Sequence, residues 1–184
     1  QALPWLQAIL IKTRYSPQQA HRQGNLVFGA QADRKVQEHG VWYAIDLTIN
    51  QDASLYLDTR NLRKWALDHL AEKRVLNMFA YTGSLGVAAQ AAGASLVLQL
   101  DLNRQFLNLA QASYALNGFK VNPSDFLVGD FFTWVSRLKR MGRLFDCIFL
   151  DPPFFSKTDK GRVDQAQESH RLINKIRPLI ALNG

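Results

Sequence analysis

The sequence predicts an α/β fold with a doubly wound, mostly parallel sheet that is preceded by a small β-hairpin unit. Two observations predict the sheet: from residue 73 onward four apolar runs alternate with four helical patterns, and acidic residues follow three of those runs. A third observation predicts the hairpin, since residues 40–49 are rich in β-branched and aromatic side chains. A chain of 184 residues, 47% of them hydrophobic, is long enough for one such domain and a small appendage.

Residues 1–70 are predicted to form an amino-terminal extension with a hairpin and a linking helix. After a helix-like stretch and a polar loop, we expect a strand over residues 40–49 to turn at 50–53 and to pair with residues 54–57. Asp58 is the expected N-cap of the helix that follows. This helix is predicted to have one apolar face, formed by side chains that recur at helical spacing: Leu62, Trp65, Ala66, His69 and Leu70.

Residues 71–184 are predicted to form the second domain, in which strands and helices alternate. Strands are expected over residues 75–79, 96–100, 124–128 and 144–150, and the helices between and after them run through residues 87–92, 103–117, 131–140 and 165–180. Pro178 must end or kink the last helix near Arg177. Because another strand is expected after that helix, we expect the chain to be truncated at its carboxyl end and this domain to be incomplete.

Composition narrows the class of protein. Lys and Arg number 22 and Asp and Glu 15, and this net charge of +7 favours a polyanionic partner such as nucleic acid, with solubility alone as the alternative. No segment approaches the roughly 20 apolar residues that a membrane span needs. A single cysteine, Cys147, excludes an internal disulfide and fits a reducing compartment, so a cytoplasmic protein is expected. The four histidines lack ligand spacing, and no metal site is predicted.

The first strand of the second domain ends in a glycine-bearing turn, residues 79–86. In a doubly wound sheet this turn lies at the carboxyl edge of the strands, where ligands bind. Gly83 lets a ligand approach the backbone, and the helix that follows offers unpaired N–H groups at its amino end. The turn lacks the full G-x-G-x-x-G fingerprint, which disfavours a dinucleotide such as NAD.

Acidic residues end the next two strands. Asp101 follows Gly83 by 18 positions, a spacing that suits a carboxylate accepting hydrogen bonds from both hydroxyls of a ribose. Asp130 could accept from an exocyclic amine such as adenine N6, with Phe131 flanking the ring. Each of the two acids could instead serve only as the N-cap of the following helix.

Asp151-Pro152-Pro153-Phe154 ends the fourth strand. The carboxylate can accept hydrogen bonds from the edge of a base, and Phe154 or Phe155 can stack on its face. The two prolines donate no N–H, which leaves nearby carbonyl groups as acceptors. Three cations follow this loop at the rim of the predicted pocket, either as ordinary solvated charges or as phosphate contacts: Lys157, Lys160 and Arg162.

These motifs together resemble the class I S-adenosylmethionine-dependent methyltransferases, and among them the enzymes that methylate bases of large-subunit ribosomal RNA. The resemblance covers about residues 35–184. It is carried by the stretches 37–40, 57–60, 76–83, 116–118 and 151–154 and by Asp101, with the Asn-x-Phe-x-Tyr-Thr-Gly run of residues 77–83 as its most specific part.

The resemblance implies a role for each matching position. Residues 79–83, with Phe79, Tyr81, Thr82 and Gly83, would line the methionine and ribose parts of S-adenosylmethionine. Asp101 would hold the ribose, Asp130 with Phe131 the adenine, and Asp58 with Arg60 the methionine end. The target base would be presented by the remaining motif: Asp151, Pro152, Pro153 and Phe154.

The sequence therefore predicts a methyltransferase that acts on a base of RNA, with ribosomal RNA as the favoured substrate. Two alternatives remain open: a methyltransferase for a protein or a small molecule, and a module that binds the cofactor without transferring a methyl group. The methylated base and atom are not predicted, because relatives that methylate cytosine use a cysteine beyond residue 184 and others methylate guanine without one.

Overall fold

The computed structural model describes residues 3–13, 15–49 and 52–184. Ahead of the central sheet, these residues form two small hairpins and two helices. In chain order the elements are β1 (Ile9–Ile11), α1 (Gln19–Gln23), β2 (Asn25–Phe28), β3 (Lys35–Glu38), β4 (Val41–Ala44) and α2 (Arg60–His69). Strand β1 pairs with β2, and β3 pairs with β4, each antiparallel.

A four-stranded parallel sheet forms the centre of the molecule. It is built by β5 (Arg74–Met78), α3 (Ser84–Ala91), β6 (Leu96–Asp101), α4 (Arg104–Leu116), β7 (Phe126–Val128), α5 (Phe131–Arg140) and β8 (Cys147–Leu150). The strand order is β7-β6-β5-β8, so the chain winds outward from β5 in both directions. The doubly wound fold is thereby confirmed, and the carboxyl ends of all four strands meet at one edge.

A further hairpin follows the sheet, β9 (Phe155–Thr158) and β10 (Gly161–Asp164), and it leads into α6 (Gln165–Ile176). The sequence pattern predicts no strand in this segment. Helix α6 ends as expected ahead of Pro178, which lies in a 3-10 turn, Arg177–Leu179, and Ile180 then pairs in parallel with Phe145. Among the described residues, no helix has the length and apolar character needed to cross a membrane.

The predicted pairing of the amino-terminal hairpin is wrong. Strand β4 pairs with residues 35–38, because His39 and Gly40 have positive φ (51° and 80°) and form a tight turn. Residues 54–57 form no strand, since Ser54 has φ 58° and its hydroxyl accepts the backbone N–H of Asp46 at 2.8 Å. Residues 50 and 51 of the predicted turn lie outside the described residues. Hairpin β1–β2 was not predicted.

Helix α2 also differs from its prediction. It begins at Arg60, and Thr59 rather than Asp58 occupies the N-cap position. The predicted apolar face is only partly buried: Ala66 and Leu70 are in the core, whereas Leu62 and Trp65 are about 40% exposed (40% and 42%). The division of the chain at residue 70 stays a prediction.

Both faces of the central sheet are covered. On one face Leu76, Met78, Leu98 and Leu100 pack against α5 and α6. On the other face Val75 and Val97 pack against α2 and α3. Hairpin β3–β4 lies on α4, where the backbone N–H of Ala44 donates to Ser113 Oγ at 2.8 Å. Hairpin β3–β4 is therefore attached to the same core as the sheet.

A buried glutamine separates α3 from the sheet. Gln99 is fully buried on β6, and its Oε1 accepts from Asn77 Nδ2 at 3.3 Å. A Cβ atom on Gly86 would lie 2.5 Å from the Gln99 amide carbon, and one on Gly83 would lie 2.5 Å from Gln99 Oε1. The two glycines are therefore required by the close approach of α3 to this side chain.

We predict that Gly86→Ala lowers the free energy of unfolding by about 1–3 kcal/mol, because the added methyl group overpacks a fully buried contact. The same substitution made in a Gln99→Ala background removes the clash, so there it becomes neutral or slightly stabilising through the higher helix propensity of alanine. Urea unfolding of the four proteins of this cycle measures the coupling. Additive effects would contradict the packing role of Gln99.

Arg63 is a fully buried cation that the sequence pattern does not reveal. Its Nε and Nη2 donate to the two carboxylate oxygens of Glu38 at 2.7 and 3.0 Å. Its Nη1 donates to the Tyr56 carbonyl at 2.8 Å and to Thr59 Oγ1 at 2.7 Å. The guanidinium also lies 5.7 Å from the ring centre of Tyr43. Arg63 therefore joins hairpin β3–β4 to the segment that precedes α2.

We predict that Arg63→Met lowers the free energy of unfolding by about 3–5 kcal/mol at neutral pH, because it leaves the Glu38 carboxylate without its buried partner. Arg34→Met is the control, since the Arg34–Asp46 ion pair is exposed on the arginine side (65%), and its loss should change stability by less than about 1 kcal/mol. Equal effects of the two substitutions would contradict the bridging role of Arg63.

At acid pH the Arg63–Glu38 pair should no longer contribute to the free energy of unfolding. The hydrogen bond from Arg63 lowers the pKa of Glu38 below its ordinary value of 4.5. The pair's contribution is therefore fully present above that value and is lost as the pH falls through the lowered pKa. The stability difference between the unsubstituted protein and Glu38→Gln, followed by unfolding at a series of pH values, should shrink only in that acidic range.

Candidate functional site

A cavity of about 480 Å³ opens at the carboxyl edge of the sheet. Its wall is formed by the segment before α2, the ends of β5, β6 and β8, the start of α5 and one face of hairpin β9–β10. Nine of the predicted site residues line it: Asp58, Phe79, Tyr81, Asp101, Asp130, Phe131, Asp151, Pro152 and Pro153.

The loop after β5 holds an unusual backbone. Phe79 and Tyr81 have φ angles of 54° and 51°, and Gly83 has 77°. For aromatic residues, such a left-handed conformation costs about 1–3 kcal/mol each and persists only where neighbouring contacts determine it. Here the Ala80 N–H donates to the Leu100 carbonyl at 2.9 Å, and the Thr82 hydroxyl to the Ser54 carbonyl at 2.6 Å. These contacts hold the loop in this shape.

Asp101 supplies the loop's third contact. Its Oδ2 accepts the Tyr81 N–H and its Oδ1 the Asn103 N–H, both at 2.8 Å. Burial raises the pKa of Asp101, and these N–H bonds oppose that rise. Helix α4 is capped by Asn103, so the interpretation of Asp101 as only an N-cap is wrong. Since an ionised carboxylate has about four acceptor positions, Asp101 keeps capacity for a ligand.

Aromatic rings form the apolar part of the wall. Phe79 stacks on Phe131 with ring centres 4.9 Å apart. Tyr81 lies between Tyr56, at 5.3 Å, and the edge of Phe106, at 4.5 Å. Flat rings on either side of a cavity favour a ligand with apolar or aromatic surfaces.

Asp130 is the N-cap of α5, one of the two roles that the sequence allowed, and it has a second partner on hairpin β9–β10. Its Oδ1 caps α5 by accepting the Thr133 N–H at 3.0 Å, which confirms the N-cap interpretation. Its Oδ2 accepts the hydroxyl of Thr158 at 2.6 Å. Asp130 therefore connects the start of α5 to hairpin β9–β10 within the wall of the cavity.

The cavity is acidic although the protein is basic. Asp58 and Asp151 both line it, and burial together with the charge of Asp58 raises the pKa of Asp151. Among the described residues, no neighbour donates a hydrogen bond to the Asp151 carboxylate, so a cationic ligand would favour its charged form. Within the described part of the chain, no three acidic, histidine or cysteine side chains are grouped in a way that suits a metal ion.

Four of the predicted site residues do not line the cavity. The Arg60 side chain is exposed (62%) and its Nε lies 3.8 Å from Glu38 Oε1. Thr82 is buried beneath the loop, Gly83 packs on Gln99 and Phe154 is 72% exposed. Their proposed contacts with cofactor or base stay predictions. Cys147 is partly buried and its raised pKa disfavours a thiolate, in keeping with the interpretation of this residue as a packing residue.

Several lining residues were missed. Tyr56 lies in the segment assigned to a strand, and Phe106 lies in the first turn of α4. Ser156, Thr158, Gly161 and Val163 belong to the unpredicted hairpin. A signal for this hairpin was present: Asp159-Lys160-Gly161 is a turn sequence between two stretches of alternating character.

We predict that Thr158→Val frees hairpin β9–β10 from Asp130, because the methyl group cannot donate the 2.6 Å hydrogen bond. Amide hydrogen exchange of residues 155–164 should become faster, while exchange in β5 and β6 stays unchanged. Thr158→Ser keeps the hydroxyl and serves as the control. Identical protection of the hairpin in both variants would show that this hydrogen bond does not hold it.

Comparisons with known proteins agree on one family. The sequence profile described as S-adenosylmethionine-dependent methyltransferase matches residues 5–184. The ribosomal RNA large subunit methyltransferase K/L of Psychrobacter arcticus is 34% identical over 187 residues, which cover 96% of this chain and 23% of that protein. The ribosomal RNA large subunit methyltransferase I of Aeromonas salmonicida is 33% identical over 141 residues, covering 77% of this chain and 35% of the relative.

A solved structure supports the same fold. The methyltransferase SMU.776, crystallised as a complex with SAH, superposes with a TM-score of 0.80 at 26% identity, and the match covers 88% of this chain and 43% of the other. The chain thus spans less than half of each of these relatives, and only 23% of the K/L enzyme.

Proposed function

Because the chain belongs to the S-adenosylmethionine-dependent methyltransferase family, we propose that it transfers a methyl group to a base of RNA, with ribosomal RNA as the substrate. The observation that carries the proposal is the convergence of three strand-end acids, Asp101, Asp130 and Asp151, on one aromatic cavity. The names of the ribosomal RNA methyltransferase relatives and the net charge of +7 support RNA as the partner.

The residues of the cavity fit S-adenosylmethionine. The acceptor capacity left on Asp101 suits the two ribose hydroxyls, and the stacked Phe79 and Phe131 suit the adenine ring beside Asp130. The acids Asp58 and Asp151 suit a ligand that carries a sulfonium and an ammonium group. When bound, this cofactor supplies an electrophilic methyl group, and the protein contributes binding, orientation and the exclusion of water.

The cofactor carboxylate has a partner other than Arg60. Ser84 and Leu85 form the first turn of α3 and line the cavity, and no side chain caps this helix. Free N–H groups at a helix amino end bind anions. We assign the carboxylate to this end of α3, with Arg60 available only if it leaves Glu38.

The target base would enter between Asp151 and Phe154. Pro152 and Pro153 line the cavity and offer no N–H, so the carbonyl groups of this turn and the Asp151 carboxylate act as acceptors for an amino-bearing base edge. Phe154 is 72% exposed beside them, and stacking a base on such a ring is worth about 1–3 kcal/mol. These residues would hold the base atom in line with the methyl group, and this positioning supplies much of the rate.

We predict that Asp101→Ala weakens the binding of S-adenosylhomocysteine by about 10- to 100-fold, because it removes hydrogen bonds to a charged acceptor. Asp151→Ala should largely retain this binding, because S-adenosylhomocysteine lacks the sulfonium charge, and should lose methyl transfer to RNA. Calorimetric titration and transfer of labelled methyl groups to deproteinised ribosomal RNA measure the two effects. Asp68→Ala, which removes an exposed carboxylate paired with Lys64, is the control.

Three outcomes would contradict parts of the proposal. Equal loss of binding in Asp101→Ala and Asp151→Ala would refute the division of roles between the two acids. Methyl transfer to a protein or small molecule but not to RNA would refute the proposal that RNA is the substrate. Tight binding of S-adenosylhomocysteine and RNA without any transfer would identify an inactive binding module.

A further inference from the structure

Hairpin β9–β10 has two chemically different faces. Its register pairs Ser156 with Val163 and Thr158 with Gly161, and all four of these residues line the cavity. The alternate pair, Lys157 opposite Arg162, lies on the other face and is exposed. Because side chains alternate between the faces of a strand, one face of the hairpin walls the cavity and the other presents cations.

The inner face is fixed in place. Thr158 donates to Asp130 at 2.6 Å. A Cβ atom on Gly161 would lie 2.4 Å from the ring of Phe132, so the backbone of β10 rests directly on that ring. With the inner face anchored at these two points, the direction of the outer face, which carries the cations, is fixed as well.

The outer face concentrates positive charge. Lys157 and Arg162 are direct cross-strand neighbours, an arrangement in which like charges repel. Lys160 follows at the tip of the hairpin. Among the residues that the structure describes, no carboxylate lies within ion-pair distance of Lys157 or Lys160. This segment has two acids: Asp159 is exposed in the turn of the hairpin, and Asp164 caps α6 by accepting the Gln167 N–H at 3.1 Å.

We propose that the outer face of this hairpin binds phosphate groups of the RNA strand whose base enters the cavity. The inference rests on the proposed function and extends it to the residues that hold the substrate backbone. Lys157 and Lys160 supply the positive charge for these contacts, and contacts of this kind set the register of a nucleic acid without reading its sequence. Phe154, which is exposed and immediately precedes β9, lies where a base of the same strand can stack.

The test compares two variants with the same change in charge. Lys157→Glu/Lys160→Glu reverses the charge of two lysines on the hairpin. Lys73→Glu/Lys120→Glu reverses the charge of two exposed lysines in loops that precede β5 and β7, at the opposite edge of the sheet. Binding of a fluorescein-labelled RNA hairpin is measured by anisotropy over a series of salt concentrations. Calorimetry with S-adenosylhomocysteine on each variant verifies that the fold and the cofactor site are intact.

The hairpin variant should bind RNA at least about tenfold more weakly than the control, and the slope of log K against log salt should fall by about 1.4–1.8 for two lost phosphate contacts. Lys157→Gln/Lys160→Gln should give a smaller loss in the same direction. Cofactor affinity should be equal in all of these proteins.

Equal RNA affinity and salt slope in the hairpin and control variants would overturn this inference while leaving RNA methylation intact. A hairpin variant that loses binding to polyglutamate but keeps RNA binding would assign the surface to an acidic protein, and would also overturn it. Failure of the unsubstituted protein to bind or methylate any RNA would instead refute the proposed function and, with it, this inference.

Discussion

The carboxylate of Asp101 is the contact on which the site depends. One oxygen holds the N–H of Tyr81 and the other holds that of Asn103, so a single side chain fixes the loop after β5 and the start of α4 after β6. Without it, the left-handed backbone at Phe79 and Tyr81 would lose one of the three contacts that offset its strain. The aromatic wall of the cavity follows from that backbone, since Phe79 and Tyr81 carry two of its rings.

Two further devices place the remaining walls. The buried Arg63–Glu38 pair connects hairpin β3–β4 to Tyr56 and Thr59, and so positions one side of the cavity from outside the sheet. The Asp130–Thr158 hydrogen bond holds hairpin β9–β10 on the opposite side. The guanidinium of Arg63 is fully buried and the Asp130–Thr158 hydrogen bond is partly buried, so both are costly to break and hold their segments in place. The proposed phosphate-binding surface is held in place as well, because it is the outer face of hairpin β9–β10, whose inner face is anchored.

Much of the sheet and its acids could be predicted from the sequence. Strands β5, β6 and β8 are largely apolar runs, and Asp101, Asp130 and Asp151 follow three strands that must share one edge in a doubly wound sheet. Hairpin pairing was not predictable in the same way, because residues 54–57 have strand-like composition while Ser54 adopts a positive φ that only tertiary contacts explain. Arg63 follows no pattern, since its burial depends on Glu38, 25 positions earlier.

A crystal structure of the protein with S-adenosylhomocysteine would show whether Asp101 holds the cofactor. We expect the ribose hydroxyls within hydrogen-bond distance of the Asp101 carboxylate, the adenine beside Phe131, and an unchanged loop at residues 79–83. A cofactor bound elsewhere, or bound in this cavity with Asp101 turned away and the loop rearranged, would contradict the claim that this carboxylate both shapes the site and holds the ligand.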